Sequence, residues 1–249
     1  MYQQGKLEML VGRTFQNKRD QIILATKVGN QWRADGSGWD WNPSKKYILS
    51  AIDQSLKRLK TDYIDLYQLH GGTLEDPIDE VIEVFESLRK SGKIRYYGVS
   101  SIRPAVIREY VKRSHIVSVM MQYSLLDRRP EEKMLSYLKE KEVGVLARGV
   151  LAKGLLVNKT PEPYLNFNPE EVSKAALAIK AVSGDQHTSV DTAVRFVLDQ
   201  PAISSVVMGI RTESQLHEAL AAGQSAPLNK IQRTLLENSL PPNRYTEHR

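Results

Sequence analysis

The chain has 249 residues, 35 basic against 29 acidic side chains for a net charge of +6, 41% hydrophobic residues and no cysteine. Lack of cysteine excludes disulfides, thiolate chemistry and Cys-ligated zinc, and makes a reducing cytoplasm the expected compartment. No apolar run reaches the roughly 18 residues that span a bilayer, and the basic excess comes without the aromatic-rich motifs of nucleic-acid binding, so neither a membrane nor a nucleic acid is an expected partner.

In chain order, β-branched apolar runs predict strands over 22–28, 63–70, 96–101, 118–124, 144–149 and 204–209. The first ends near Lys27, the second at His70 and the third at Ser100 and Ser101. Between the first two lies a long loop, 29–41, that holds Trp32, Trp39 and Trp41; these either wall a substrate pocket or staple the loop to the rim. Asn42-Pro43 is read as the cap of a helix carrying Ile48, Ala51, Ile52 and Leu59. Asp76-Pro77 opens the next helix, with Gly92 just past its end. Pro104, Pro130 and Pro169 sit at first-turn positions, where a missing N–H costs nothing. A second long loop spans 157–168, and Thr212 with Gln215 has the form of a capping box. The basic clusters Lys57, Arg58, Lys60; Arg108, Lys112, Arg113; and Arg128, Arg129 are read as solvated helix faces. The histidines are scattered without metal-ligand spacing, so no metal is expected.

Continuous apolar strands alternating with amphipathic helices predict a parallel sheet covered on both faces. The fold class is α/β: a TIM (β/α)8-type barrel forming one domain over 1–249, with polar residues at the carboxyl ends of its strands.

Four segments carry a resemblance. Ile23-Leu24-Ala25-Thr26-Lys27, Asp62-Tyr63-Ile64-Asp65-Leu66-Tyr67-Gln68-Leu69-His70, Gly98-Val99-Ser100-Ser101 and Met208-Gly209-Ile210-Arg211-Thr212-Glu213-Ser214-Gln215-Leu216 resemble, in order and spacing, successive motifs of the aldo-keto reductases. That resemblance implies reduction of an aldehyde or ketone by hydride transfer from NADPH, with an Asp, Tyr, Lys and His tetrad. Lys27 and His70 match the Lys and His. Tyr2, Gly5, Glu8, Val11 and Gly12 fit the stretch that carries the tyrosine. A phenol is a reluctant acid, with a reference pKa of about 10; a neighbouring ammonium stabilises its anion, and an imidazole orients the carbonyl oxygen.

The resemblance also implies cofactor contacts. Ser100 and Ser101 stand where Ser-Asn binds the nicotinamide amide. Met120 replaces a glutamine three residues before Tyr123, with Gln122 nearby on the strand. Arg148 stands at a position that often stacks on the nicotinamide ring. Gly149, Leu151, Lys153 and Gly154 match a pyrophosphate-covering loop. Gly209, Arg211, Thr212, Gln215 and Glu218 match the adenosine end, Arg211 being placed for the 2′-phosphate of NADP.

The family's aspartate lies five residues before the tyrosine and would precede Met1, as would the first two strands and first helix. The resemblance therefore implies an N-terminally truncated member whose incomplete barrel is unstable or inactive. The alternative reading is a non-catalytic NADP-binding or partner-binding barrel of the same family.

Overall fold

The computed structural model describes residues 5–184 and 187–247. Tyr2 lies outside them. The chain divides into two compact units, the first reaching to Val119 and the second covering Met120–Glu247.

In the first unit, α1 (Lys6–Phe15) and α2 (Lys45–Leu59) pack closely, and the sequence shows why. Gly5, Glu8 and Gly12 recur at helical spacing on one face of α1. A Cβ on Gly12 would lie 2.5 Å from the Arg58 carbonyl oxygen and 2.6 Å from the Leu59 carbonyl carbon, so only glycine lets the end of α2 approach. Glu8 accepts from Arg58 Nε at 2.6 Å and from Thr26 Oγ1 at 2.7 Å. Arg58 is thus a largely buried ion-pair partner and not the solvated side chain expected.

Strands β1 (Ala25–Val28), β4 (Ile64–His70) and β5 (Ile94–Ser100) lie side by side and parallel in that order. Strand β4 is buried along nearly its whole length, as its apolar run predicts. Its one acidic residue, Asp65, is 7% exposed and takes hydrogen bonds from the Leu24 N–H (2.9 Å) and Arg19 Nη2 (2.7 Å). Helix α2 starts two residues later than expected: Ser44 is the N-cap and accepts from the Tyr47 N–H, while Asn42 Oδ1 accepts from the Ser44 N–H. Helix α3 (Ile78–Lys90) buries Ile78, Val81, Val84, Phe85 and Leu88, and α4 (Pro104–Arg113) opens with Pro104 as its first residue.

The 29–41 loop contains an antiparallel hairpin, β2 (Asn30–Trp32) with β3 (Trp39–Trp41), that the sequence reading did not anticipate. Asp35-Gly36 supplies the turn, and Arg33 pairs with Asp40 at 2.6 Å across it.

The chain passes into the second unit within β6 (Ser118–Gln122). There β7 (Gly144–Arg148) pairs in parallel with β8 (Ile203–Val207). Strand β8 has no buried residue, against the expectation of burial on both faces. This unit also contains the α-helices α5 (Met134–Glu140), α6 (Pro169–Val182), α7 (Ser189–Leu198), α8 (Glu213–Gln224) and α9 (Lys230–Glu237). Capping boxes at Asn168/Glu171, Thr188/Asp191 and Asn229/Gln232 start α6, α7 and α9. Arg128, also expected in solvent, is 8% exposed; it binds Glu131 and donates to the carbonyls of Glu237 and Leu240. Arg129 likewise pairs with Asp127 at 2.7 Å.

Candidate active site

Strand register puts two predicted residues together. Lys27 lies opposite Gln68, and His70 is two residues beyond Gln68, so Lys27, Gln68 and His70 share one face of the sheet. Lys27 and His70 line a single cavity of about 140 Å³ with Gly5, Leu7, Glu8, Thr26 and Leu59 among the other walls. Gly5, three positions after Tyr2, belongs to that lining.

His70 Nδ1 lies 3.3 Å from Asn30 Nδ2. An amide nitrogen only donates, so with Asn30 in this orientation Nδ1 of the neutral ring is the acceptor, which assigns the proton to Nε2. Asn30 is held by its own backbone, whose carbonyl accepts from Tyr47 Oη at 2.9 Å. Burial of that phenol pushes its pKa up to about 12, so it stays a donor.

His70 also lines a second pocket of about 530 Å³, with Asn30, Trp32, Trp39, Trp41, Gly71, Gly72, Thr73 and Arg103. The hairpin register explains this wall. Asn30 faces Trp41 and Trp32 faces Trp39, so alternation turns all four side chains to one face. Trp41 is fixed twice: its indole Nε1 donates to Asp76 Oδ1 at 2.9 Å, and its ring lies over Gly29, where a Cβ would sit 2.3 Å from it. Gly29 has φ 122°, which L side chains rarely adopt. Asp76, read only as a helix opener, spends its carboxylate on Trp41 and on the Thr73 N–H at 2.6 Å. The tryptophans therefore both wall a pocket and anchor the loop.

Ser100 lies opposite His70 in the β4–β5 register, and both Ser100 and Ser101 are buried. Ser101 Oγ accepts from the Arg103 N–H at 3.1 Å. Sequence reading named neither Asn30 nor Arg103; the clue to both was their position within a few residues of Lys27 and of Ser101.

In the second unit, Gln122 packs on Gly149, whose notional Cβ would lie 3.8 Å from the Gln122 Cγ. Arg148 is half-buried and its carbonyl accepts from the Tyr123 N–H at 3.2 Å. Gly149, Ala152, Lys153 and Gly154 all have positive φ, between 46° and 93°, which folds the loop tightly and leaves Lys153 exposed. Its Nζ lies 6.0 Å from the Tyr164 ring centre. Leu151 is half-buried beside it.

Gly209, Arg211, Thr212, Gln215 and Glu218 are all exposed around the start of α8. Thr212 Oγ1 accepts from the Gln215 N–H at 3.2 Å, but Gln215 Oε1 takes the Arg211 N–H at 2.9 Å. The expected capping box is thus displaced by one residue. An exposed arginine, a threonine and the N-terminus of a twelve-residue helix suit a phosphate group.

A curated relative, the uncharacterized oxidoreductase YqkF of Bacillus subtilis, is 48% identical over all of this chain and 84% of its own. The NADH-specific methylglyoxal reductase of Escherichia coli is 27% identical over 89% of this chain and 76% of its own. Among solved structures, the holo form of the aldo-keto reductase AKR11C1 from Bacillus halodurans has a TM-score of 0.93 and 44% identity, covering 100% of this chain and 83% of its own. The model of the aldo/keto reductase family matches residues 1–239, so this α/β chain, with the parallel strands of a TIM-type barrel, belongs to the aldo/keto reductase family of oxidoreductases.

Proposed function

We propose that the chain reduces an aldehyde or ketone with NADPH, and that Tyr2, Lys27 and His70 carry the chemistry. The observation that carries this reading is the cavity shared by Lys27, His70 and the Gly5–Glu8 turn that follows Tyr2. Bound NADPH supplies the hydride. Tyr2 gives its phenolic proton to the carbonyl oxygen as negative charge develops there, and the Lys27 ammonium stabilises the phenolate left behind. His70, with its proton on Nε2, donates a hydrogen bond to that oxygen and holds it in position.

For the cofactor we assign Ser100, Ser101, Gln122 and Arg148 to the nicotinamide end. Gly149, Leu151, Lys153 and Gly154 serve the pyrophosphate, and Gly209, Arg211, Thr212, Gln215 and Glu218 the adenosine end. Arg211, exposed at a helix N-terminus, supports NADP over NAD because a guanidinium fork matches a phosphate monoester; the Escherichia coli relative named for NADH makes the choice worth measuring. The match over 1–239 supports a single reductase domain, and we place it in the cytoplasm.

The test is oxidation of NADPH and NADH, followed by absorbance, with a panel of aldehydes. Turnover is expected with NADPH, falling about 10²-fold or more in Tyr2→Phe and Lys27→Met. Cofactor binding without turnover of any aldehyde would sink this reading in favour of a cofactor-binding barrel.

A further inference from the structure

The pocket beside the tryptophan hairpin contains a cation that carbonyl reduction does not use. Arg103 is half-buried at the N-cap of α4. Its Nη1 donates to the Gly72 carbonyl at 2.5 Å, two residues past His70, which fixes the guanidinium to the loop that continues from β4. Most other arginines of this unit are matched to carboxylates, among them Arg19 with Asp65, Arg33 with Asp40 and Arg58 with Glu8. Among the described residues Arg103 has no such counterion. Its remaining N–H groups form a planar fork suited to two oxygens at once.

One pocket thus joins the imidazole of His70, the guanidinium of Arg103 and three indoles. Each wall asks for a different part of a ligand: a carbonyl oxygen at the imidazole, an apolar body against the indoles, and an anionic group at the guanidinium. One unmatched positive charge in a half-buried site calls for one negative charge, which favours a carboxylate over a phosphate dianion. The positive end of the α4 dipole lies at the same place and adds to the attraction.

We propose that the preferred substrates are aldehydes or ketones that also bear a carboxylate, and that Arg103 is the residue that selects them. This rests on the reductase reading above.

The test exploits the tryptophans, because the only three in the chain, Trp32, Trp39 and Trp41, all line this pocket. Quenching of their fluorescence reads binding without turnover. The probes are para-carboxybenzyl alcohol and para-methylbenzyl alcohol, each titrated without cofactor. The carboxylate probe is expected to bind about tenfold more tightly to the wild-type protein, the scale of a charge-assisted bidentate contact. That ratio falls to about one in Arg103→Met and stays intermediate in Arg103→Lys, which keeps the charge and loses the fork. The corresponding aldehydes with NADPH should show the same ratios in kcat/KM, expressed through KM. Equal binding of the two probes by the wild type, or a ratio that survives in Arg103→Met, overturns the assignment. Turnover of both aldehydes with equal kcat/KM and equal quenching removes Arg103 and leaves the reductase intact. A fluorescence ratio that depends on Arg103, without turnover of either aldehyde, removes the reductase and leaves the carboxylate site.

Discussion

Asn30 decides which nitrogen of His70 bears the proton, through a 3.3 Å contact from its Nδ2. An aspartate at this position would reverse the arrangement: it accepts from Nδ1–H, raises the imidazole pKa, and leaves Nε2 without a proton once the ring is neutral. Asn30→Asp is therefore expected to retain kcat/KM while the ring is cationic. It should lose about 10²-fold as the pH rises past the pKa of the imidazole. The wild-type Nε2 bears a proton in both ring states, so its profile has no such limb from His70. A pH–rate profile in which both proteins decline together would show that Asn30 does not set the tautomer. At this scale the sequence was half legible. Lys27 and His70 stand out as polar residues at or near the ends of strands, and it is their joint order and spacing within the motif resemblance that singles them out. Asn30 and Arg103 sit in loops whose conformation depends on distant partners, the Tyr47 hydroxyl and the Gly72 carbonyl, and nothing local announces those contacts.

Among the elements, α1 shows how a motif can serve packing as well as chemistry. Gly5, Glu8 and Gly12 accompany Tyr2 in the motif, yet their spacing is that of one helix face laid against the end of α2. Gly12→Ala would drive a methyl group to within 2.5 Å of the Arg58 carbonyl oxygen, and overpacking of this kind costs roughly 1–3 kcal/mol. Denaturant unfolding of the variant should show a lower midpoint with an unchanged slope; an unchanged midpoint would mean that α1 shifts without cost. The long strands and helices were readable from the sequence because their periodicity runs over five or more residues: β4 and α3 lie within two residues of expectation. The β2–β3 hairpin was not, since each strand has three residues, too short for alternation to register. Its Asp35-Gly36 turn between Trp32 and Trp39 is the available sign. The burial of Arg58 and Arg128 is not legible locally, because a basic residue in a cluster gives no indication of a carboxylate or carbonyl from another element.

Across the whole molecule, acid stability has an identifiable contributor. Glu86 on α3 accepts from Tyr97 Oη at 2.5 Å, from His115 Nδ1 at 2.9 Å and from Arg89 Nη2 at 2.8 Å. Burial pushes its carboxyl upward, but these hydrogen bonds outweigh it and bring the pKa down to about 2 from 4.5. A carboxylate held below its unfolded value stabilises the fold above that value, and the stabilisation is lost as pH falls through the folded one. Glu86→Gln is expected to lower stability at neutral pH by roughly 1–3 kcal/mol, with the gap to wild type closing between pH 4.5 and about 2. Unfolding curves across that range check it, and a gap independent of pH would exclude Glu86 as the cause. The hairpin has a consequence at the same scale. Trp41 is clamped by Asp76 and by Gly29, whereas Trp39, 53% exposed, stands at the far end of a short ribbon. Selection can reshape that outer jaw residue by residue, widening or narrowing the range of molecules admitted, while the inner hinge and the imidazole beneath it remain undisturbed.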